Sequence, residues 1–149
     1  MSTPVHFYDV TVAWDAGRHG TLSSPVLTDK IIVATPPEFA RGEPSIWSPE
    51  HLLVAAVNSC LMTTFLAIAE NSKLSFVSFH CDAKGKLEVV DGKFLLSEIL
   101  LAPVVEVGEE GLREKTLSVL RKSEAACLIS NSIKARIVFE PEVRVLAEA

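Results

Sequence analysis

The chain has 149 residues, 48% hydrophobic and 22% charged, with a formal net charge of −5. That is enough for one core and short for two, so residues 1–149 read as a single domain. The acidic balance and the lack of any Lys or Arg run offer phosphate backbones no electrostatic footprint, which argues against a nucleic-acid partner.

The first residues include His6, Tyr8 and Asp9 and show no basic segment leading into an apolar one, so no signal peptide is expected and the location is read as cytoplasmic. His6 to Trp14 alternates roughly apolar and polar, as a strand does, Gly17 to Gly20 reads as a turn, and Pro25 to Thr35 as a second strand-like run closed by Pro36-Pro37. Phe39 to Trp47 is loop-like, with Arg41, Gly42, Glu43 and Pro44 together. A helix then starts with clear signals. Ser48 suits the N-cap, Pro49 the first helical position, where no amide donor is missed, and Glu50 the positive end of the dipole.

From Leu52 to Ala69 there is no charge, and only Asn58, Ser59, Thr63 and Thr64 are plainly polar, so most faces of this helix are expected to be buried. The run falls just short of the ~20 residues of a membrane span and carries Asn58-Ser59 in its middle, which favours a central core helix over a membrane helix. Leu74 to Val90 and Lys93 to Val107 read as long strands joined at Asp91-Gly92, a pair suited to a tight type I′ turn. A second helix is expected from Glu109 to about Ala126, acidic at its start and basic toward its end, and Ile133 to Phe139 reads as a closing strand. The class is therefore α+β, with mainly antiparallel sheets around a long buried central helix. A helix apolar on so many sides needs more cover than one small sheet supplies, and a second copy of the chain would provide it.

The three cysteines, Cys60, Cys81 and Cys127, are odd in number and lack the dense spacing of a secreted disulfide framework, so any chemistry they have is redox or nucleophilic. No CxxC or HxxxH pair occurs among them and the four histidines, which speaks against zinc, and no glycine pattern for a nucleotide is present. No resident cofactor is expected. Cys60 lies mid-helix, where a cysteine is either a small core hydrophobe or a nucleophile. The second role requires a lowered pKa, which the helix dipole does not supply at that position, so a cation such as an Arg would have to come from elsewhere.

Three segments together resemble the OsmC/Ohr family of hydroperoxide reductases: Gly17-Arg18-His19-Gly20, then Ser48-Pro49-Glu50-His51-Leu52-Leu53 running on to Asn58-Ser59-Cys60, and Ala125-Ala126-Cys127. The resemblance implies an intertwined homodimer with sheets wrapped around paired central helices and active sites at the subunit interface. It also implies that Cys60 is the peroxidatic thiol, Cys127 the resolving thiol, Glu50 the helix-start carboxylate and Arg18 the arginine that holds the thiolate. Arg41 is the alternative cation. The implied reaction reduces alkyl or lipid hydroperoxides through a Cys60 sulfenic acid and a Cys60–Cys127 disulfide, reopened by an external dithiol such as a lipoyl group. Ten residues of helix separate the Cα atoms of Glu50 and Cys60 by about 15 Å, so Arg18 would have to bridge them. Many family members carry Pro directly after the second cysteine, whereas this chain has Leu128. Cys81 matches no catalytic position and reads as structural.

Two other functions fit the same pattern. A hotdog-like thioesterase would use Glu50 or His51 and leave the cysteines incidental, and a non-catalytic OsmC-like binding protein would keep the fold without the peroxidase step.

Overall fold

The computed structural model describes residues 3–146, and the chain divides into two compact units, Met1–Leu52 and Leu53–Ala149. The first unit holds a three-stranded antiparallel sheet in the order β1 (Thr11–Ala16), β2 (His19–Ser23), β3 (Ile31–Ala34). Its boundaries correct the sequence reading at three points. Residues His6 to Val10 lie outside β1. The expected turn at Gly17 to Gly20 shrinks to Gly17 and Arg18, and β2 occupies the rest. Gly20 belongs in a strand here because β1 passes so close that a β-carbon would lie 2.5 Å from the Ala13 carbonyl oxygen. The run from Pro25 forms a strand only from Ile31 onward, its first part being spent on a turn closed by the Leu27 amide and the Ser24 carbonyl at 3.2 Å.

Helix α1 (Pro49–Asn71) begins where the sequence marks it. The Ser48 hydroxyl oxygen accepts the His51 amide at 3.1 Å, as an N-cap does. Its far end is closed by bonds from the Lys73 amide to the Glu70 carbonyl (3.1 Å) and from the Leu74 amide to the Ala69 carbonyl (2.8 Å). Lys73 takes the left-handed conformation, φ 55, in which this closure usually places glycine.

Within the second unit, Val57, Leu61, Phe65 and Ala69 recur every fourth residue and form the buried stripe of α1. They pack against alternate inward residues of β5 (Lys93–Val107): Val57 and Leu61 cluster with Ile99 and Leu101, while Phe65 and Ala69 cluster with Val105, Val107 and two residues of α2 (Arg113–Ala126), Val119 and Leu120. Each fully buried side chain of this kind stabilises the fold by roughly 1.5–3 kcal/mol. The expectation that most faces of α1 are buried is not met within one chain. Ser59, Met62, Thr63, Leu66 and Ala67 lie on an exposed stripe, with Met62 39% and Leu66 42% exposed.

β4 (Ser78–Val90) and β5 form the expected hairpin, with Asp91 and Gly92 both at positive φ, 49 and 79, as a type I′ turn requires. The last part of the chain gives two short strands, β6 (Arg136–Phe139) and β7 (Glu142–Val145), where the sequence suggested one. Both pair parallel to β5, at successive positions along the same edge, so this sheet is mixed. Pro141 separates them and has no amide to continue the ladder. The class is α+β, as the element order implies.

Candidate active site

The buried stripe of α1 places Cys60 next to Leu61, so its thiol is half-buried at the stripe's edge. Elsewhere in the second unit, α2 stops at Cys127, whose amide donates to the Glu124 carbonyl at 3.2 Å and whose backbone turns extended. That change of direction carries the Cys127 thiol to α1, where its sulfur lies 3.9 Å from the Val57 carbonyl oxygen. Cys127 is fully buried, and it lies close enough to Cys60 for each thiol to shift the acidity of the other.

Their environments push the two thiols in opposite directions. Burial raises the Cys60 pKa, but its thiolate receives hydrogen bonds from the Ile129 and Leu128 amides, the Cys127 thiol and the Thr64 hydroxyl. These outweigh burial and hold Cys60 below the ordinary thiol value. Thr64 lies one helical turn on, 3.9 Å from the Cys60 sulfur. At Cys127 burial dominates and a charged Cys60 adds repulsion, so its pKa is raised even though the Ser130 hydroxyl and amide would favour the charged sulfur. Two interacting groups set apart in this way define a nucleophile and a partner. Cys81 stands apart: burial pushes it up to about 11, with the nearby Asp82 charge adding to the rise. It packs against the cluster around Val57 and Leu61.

In the first unit, the turn between β1 and β2 presents Arg18 on a backbone fixed at each polar group. Gly17, at φ 52, has its carbonyl bonded by the Trp14 indole at 3.1 Å. The Arg18 amide donates to the Glu43 carboxylate at 2.9 Å, and the Arg18 carbonyl accepts the Thr35 amide at 3.3 Å. The His19 Nδ1 sits 3.0 Å from both Glu43 carboxylate oxygens. The His19 hydrogen bond and the Arg18 amide together hold the Glu43 carboxyl below its ordinary value. The Arg18 side chain itself is exposed. It borders an open hollow of about 630 Å³ walled by Val12, Trp14, Val33 and Pro49. Arg18 also shares a second hollow of about 450 Å³ with Arg41, His19 and Glu43. Glu50 is half-buried in the first turn of α1. The bidentate pair expected between Arg18 and Glu50 is not among the ion pairs of the described residues. His51 is occupied by the helix start, its Nδ1 2.6 Å from the Ser48 hydroxyl and its ring edge-on to Trp47.

The structure thus brings Cys60 and Cys127 together and sets Arg18 on a clamped turn. Four contributing residues escaped the sequence reading. Thr64 was legible from its spacing of four from Cys60. The amides of Leu128 and Ile129 carry no side-chain signal, and Glu43 lies 24 residues from His19. Among the described residues no group of three or more His, Cys, Asp or Glu is placed to hold a metal ion.

An α+β chain with a long helix laid on a mixed sheet and two cysteines meeting at the helix flank defines the class. It belongs to the OsmC/Ohr family, since the family model for OsmC-like proteins matches residues 42–142. Over 145 residues, 94% of each chain, it is 25% identical to the uncharacterized protein YmaD of Bacillus subtilis. Among solved structures it is similar to an OsmC-like protein of unknown function from Vibrio cholerae, with a TM-score of 0.81, 22% identity, and coverage of 92% of this chain and 99% of that one. It is also similar to an organic hydroperoxide resistance protein from Legionella pneumophila (TM-score 0.75, 20% identity, 96% and 100% covered). OhrB of Bacillus subtilis gives a TM-score of 0.66 at 19% identity, with 93% and 98% covered.

Proposed function

We propose that this protein is a thiol-dependent peroxidase that reduces organic hydroperoxides, alkyl or lipid, to alcohols. The observation that carries the reading is the meeting of two free thiols at the flank of α1, Cys60 half-buried with its acidity raised, Cys127 fully buried with its acidity lowered. Family membership supports it, as do the relatives named for organic hydroperoxide resistance.

In this reading the Cys60 thiolate attacks one peroxide oxygen, the O–O bond breaks, and the alkoxide leaves as an alcohol after taking up a proton. The Cys60 sulfenic acid then condenses with Cys127, releasing water and forming the disulfide. Arg18 orients the peroxide and favours the thiolate, and Glu50 holds the guanidinium once substrate is bound. The apolar walls beside Arg18 suit an alkyl chain better than hydrogen peroxide. An external dithiol, such as a lipoyl group, reopens the disulfide, and no resident cofactor takes part. The working unit is a cytoplasmic homodimer of single-domain chains, for which the exposed apolar stripe of α1 and the family match across residues 42–142 speak.

One equivalent of cumene hydroperoxide tests the reading. It should consume two of the three thiols and leave a Cys60–Cys127 bridge with Cys81 free, read by intact mass and non-reducing peptide mapping. Cys60→Ser should abolish peroxide consumption. Turnover that survives in Cys60→Ser would overturn the assignment, and a thioesterase or a pure binding protein would leave all three thiols untouched.

A further inference from the structure

Cys127 occupies the N-cap place of a helical turn. Its own backbone is extended, φ −62 and ψ 110, Ile129 is helical, and the Asn131 amide closes back on the Cys127 carbonyl at 3.1 Å. In such a turn the third residue after the cap directs its amide at the cap side chain, and here that residue is Ser130. Ser130 is 8% exposed, and its hydroxyl oxygen is a buried polar atom with no hydrogen-bond partner. A buried hydroxyl without a partner costs about 1–3 kcal/mol, so its position calls for an explanation.

We propose that the Ser130 hydroxyl is the donor kept for the Cys127 sulfur, unused while that sulfur is a neutral thiol and engaged whenever it carries negative charge. This rests on the disulfide chemistry proposed above. Negative charge arises at Cys127 twice in the cycle. In the resolving step the Cys127 thiolate attacks the Cys60 sulfenic sulfur, the S–S bond forms as the S–O bond breaks, and the departing hydroxide takes the proton that Cys127 gave up, leaving as water. In the reopening step the external dithiol can reach only Cys60, since Cys127 is fully buried. Attack at Cys60 forms a mixed disulfide and expels Cys127 with the bonding electron pair. The second thiol of the dithiol then releases Cys60, and the dithiol ends oxidised. Stabilising the same thiolate makes Cys127 available as a nucleophile in the first step and a better leaving group in the second. The titratable group facing it is Cys60 of α1, and its other neighbours, the Ser130 hydroxyl and amide and the Val57 carbonyl, are neutral.

The test is Ser130→Ala. Titrated by ultraviolet thiolate absorbance in a Cys60→Ser, Cys81→Ser background, Cys127 should show a midpoint higher by about one pH unit or more without the hydroxyl, the size expected for a hydrogen bond to a charged group. In the three-cysteine protein the first oxidation of Cys60 should keep its rate. The sulfenic acid, trapped with dimedone, should persist about threefold longer for each pH unit by which the midpoint rises, because a more basic thiolate is scarcer but more nucleophilic. Thermal stability should hold or rise, since an unpartnered buried donor is removed. An unmoved Cys127 midpoint, or a variant that fails to fold, would overturn the proposal by making the hydroxyl structural. The titration uses no peroxide, so a parent protein that consumes none would end the peroxidase reading and leave Ser130 to be decided separately.

Discussion

At the scale of single residues, the three cysteines differ enough in surroundings to be told apart in solution. Amide and hydroxyl donors hold Cys60 low, whereas burial pushes Cys81 up to about 11. Alkylation followed against pH should therefore modify Cys60 first, with a midpoint below the usual thiol value, while Cys81 stays unreacted until strongly alkaline pH. Thr64→Val removes one donor while keeping nearly the same volume, so the Cys60 midpoint should rise by less than about one pH unit, this being a single weak hydrogen bond at 3.9 Å. The cation is a separate matter, because Arg18 and Arg41 border one hollow with His19 and Glu43. Arg18→Ala should slow the peroxide step and Lys should restore only part of it, since an ammonium lacks the bidentate fork. A peroxide step slowed by Arg41→Ala and unchanged by Arg18→Ala would reassign the role.

Secondary-structure elements show where local chemistry suffices and where it does not. Ser48→Ala, which removes the cap of α1, should cost about 0.5–2 kcal/mol in chemical denaturation without changing the slope of the transition. That helix start was legible because Ser48, Pro49 and Glu50 each act within one turn of their own backbone, and the Asp91-Gly92 hairpin because the turn needs two residues at positive φ. Cys60 and Cys127 were singled out by resemblance, and nothing local would have paired them: they stand 67 positions apart in the chain, and they meet because α2 ends where the backbone must turn toward Val57. The missed elements share a cause. β2 was hidden because Gly20 serves close strand approach and not a turn, and β7 because its partner is the edge of β5, already extended beyond β6. Each is fixed by the strand it faces and not by its own residues, a hairpin neighbour for β2 and a distant one for β7.

For the whole molecule, the exposed stripe of α1 is the feature a lone chain leaves unexplained. Met62 and Leu66 are turned away from the core that Leu61 and Phe65 enter, in a segment without charge from Leu52 to Ala69, and such a stripe left in water is unfavourable at roughly 25 cal/mol per Å² of apolar surface. A second copy is the simplest cover, because the stripe of one chain is matched by its own image about a twofold axis. The expected outcome is a dimer in sedimentation equilibrium at micromolar concentration. Leu66→Glu places a charge on that face at a position already partly exposed in one chain, so it should leave the fold of each chain intact and dissociate the pair. Lys122→Glu, on an exposed position of α2, should do neither. Circular dichroism of the Leu66→Glu protein separates the two reasons for failure, since an unfolded chain would mean that the stripe belongs to the core. A parent protein that sediments as a stable folded monomer would end the dimer reading altogether.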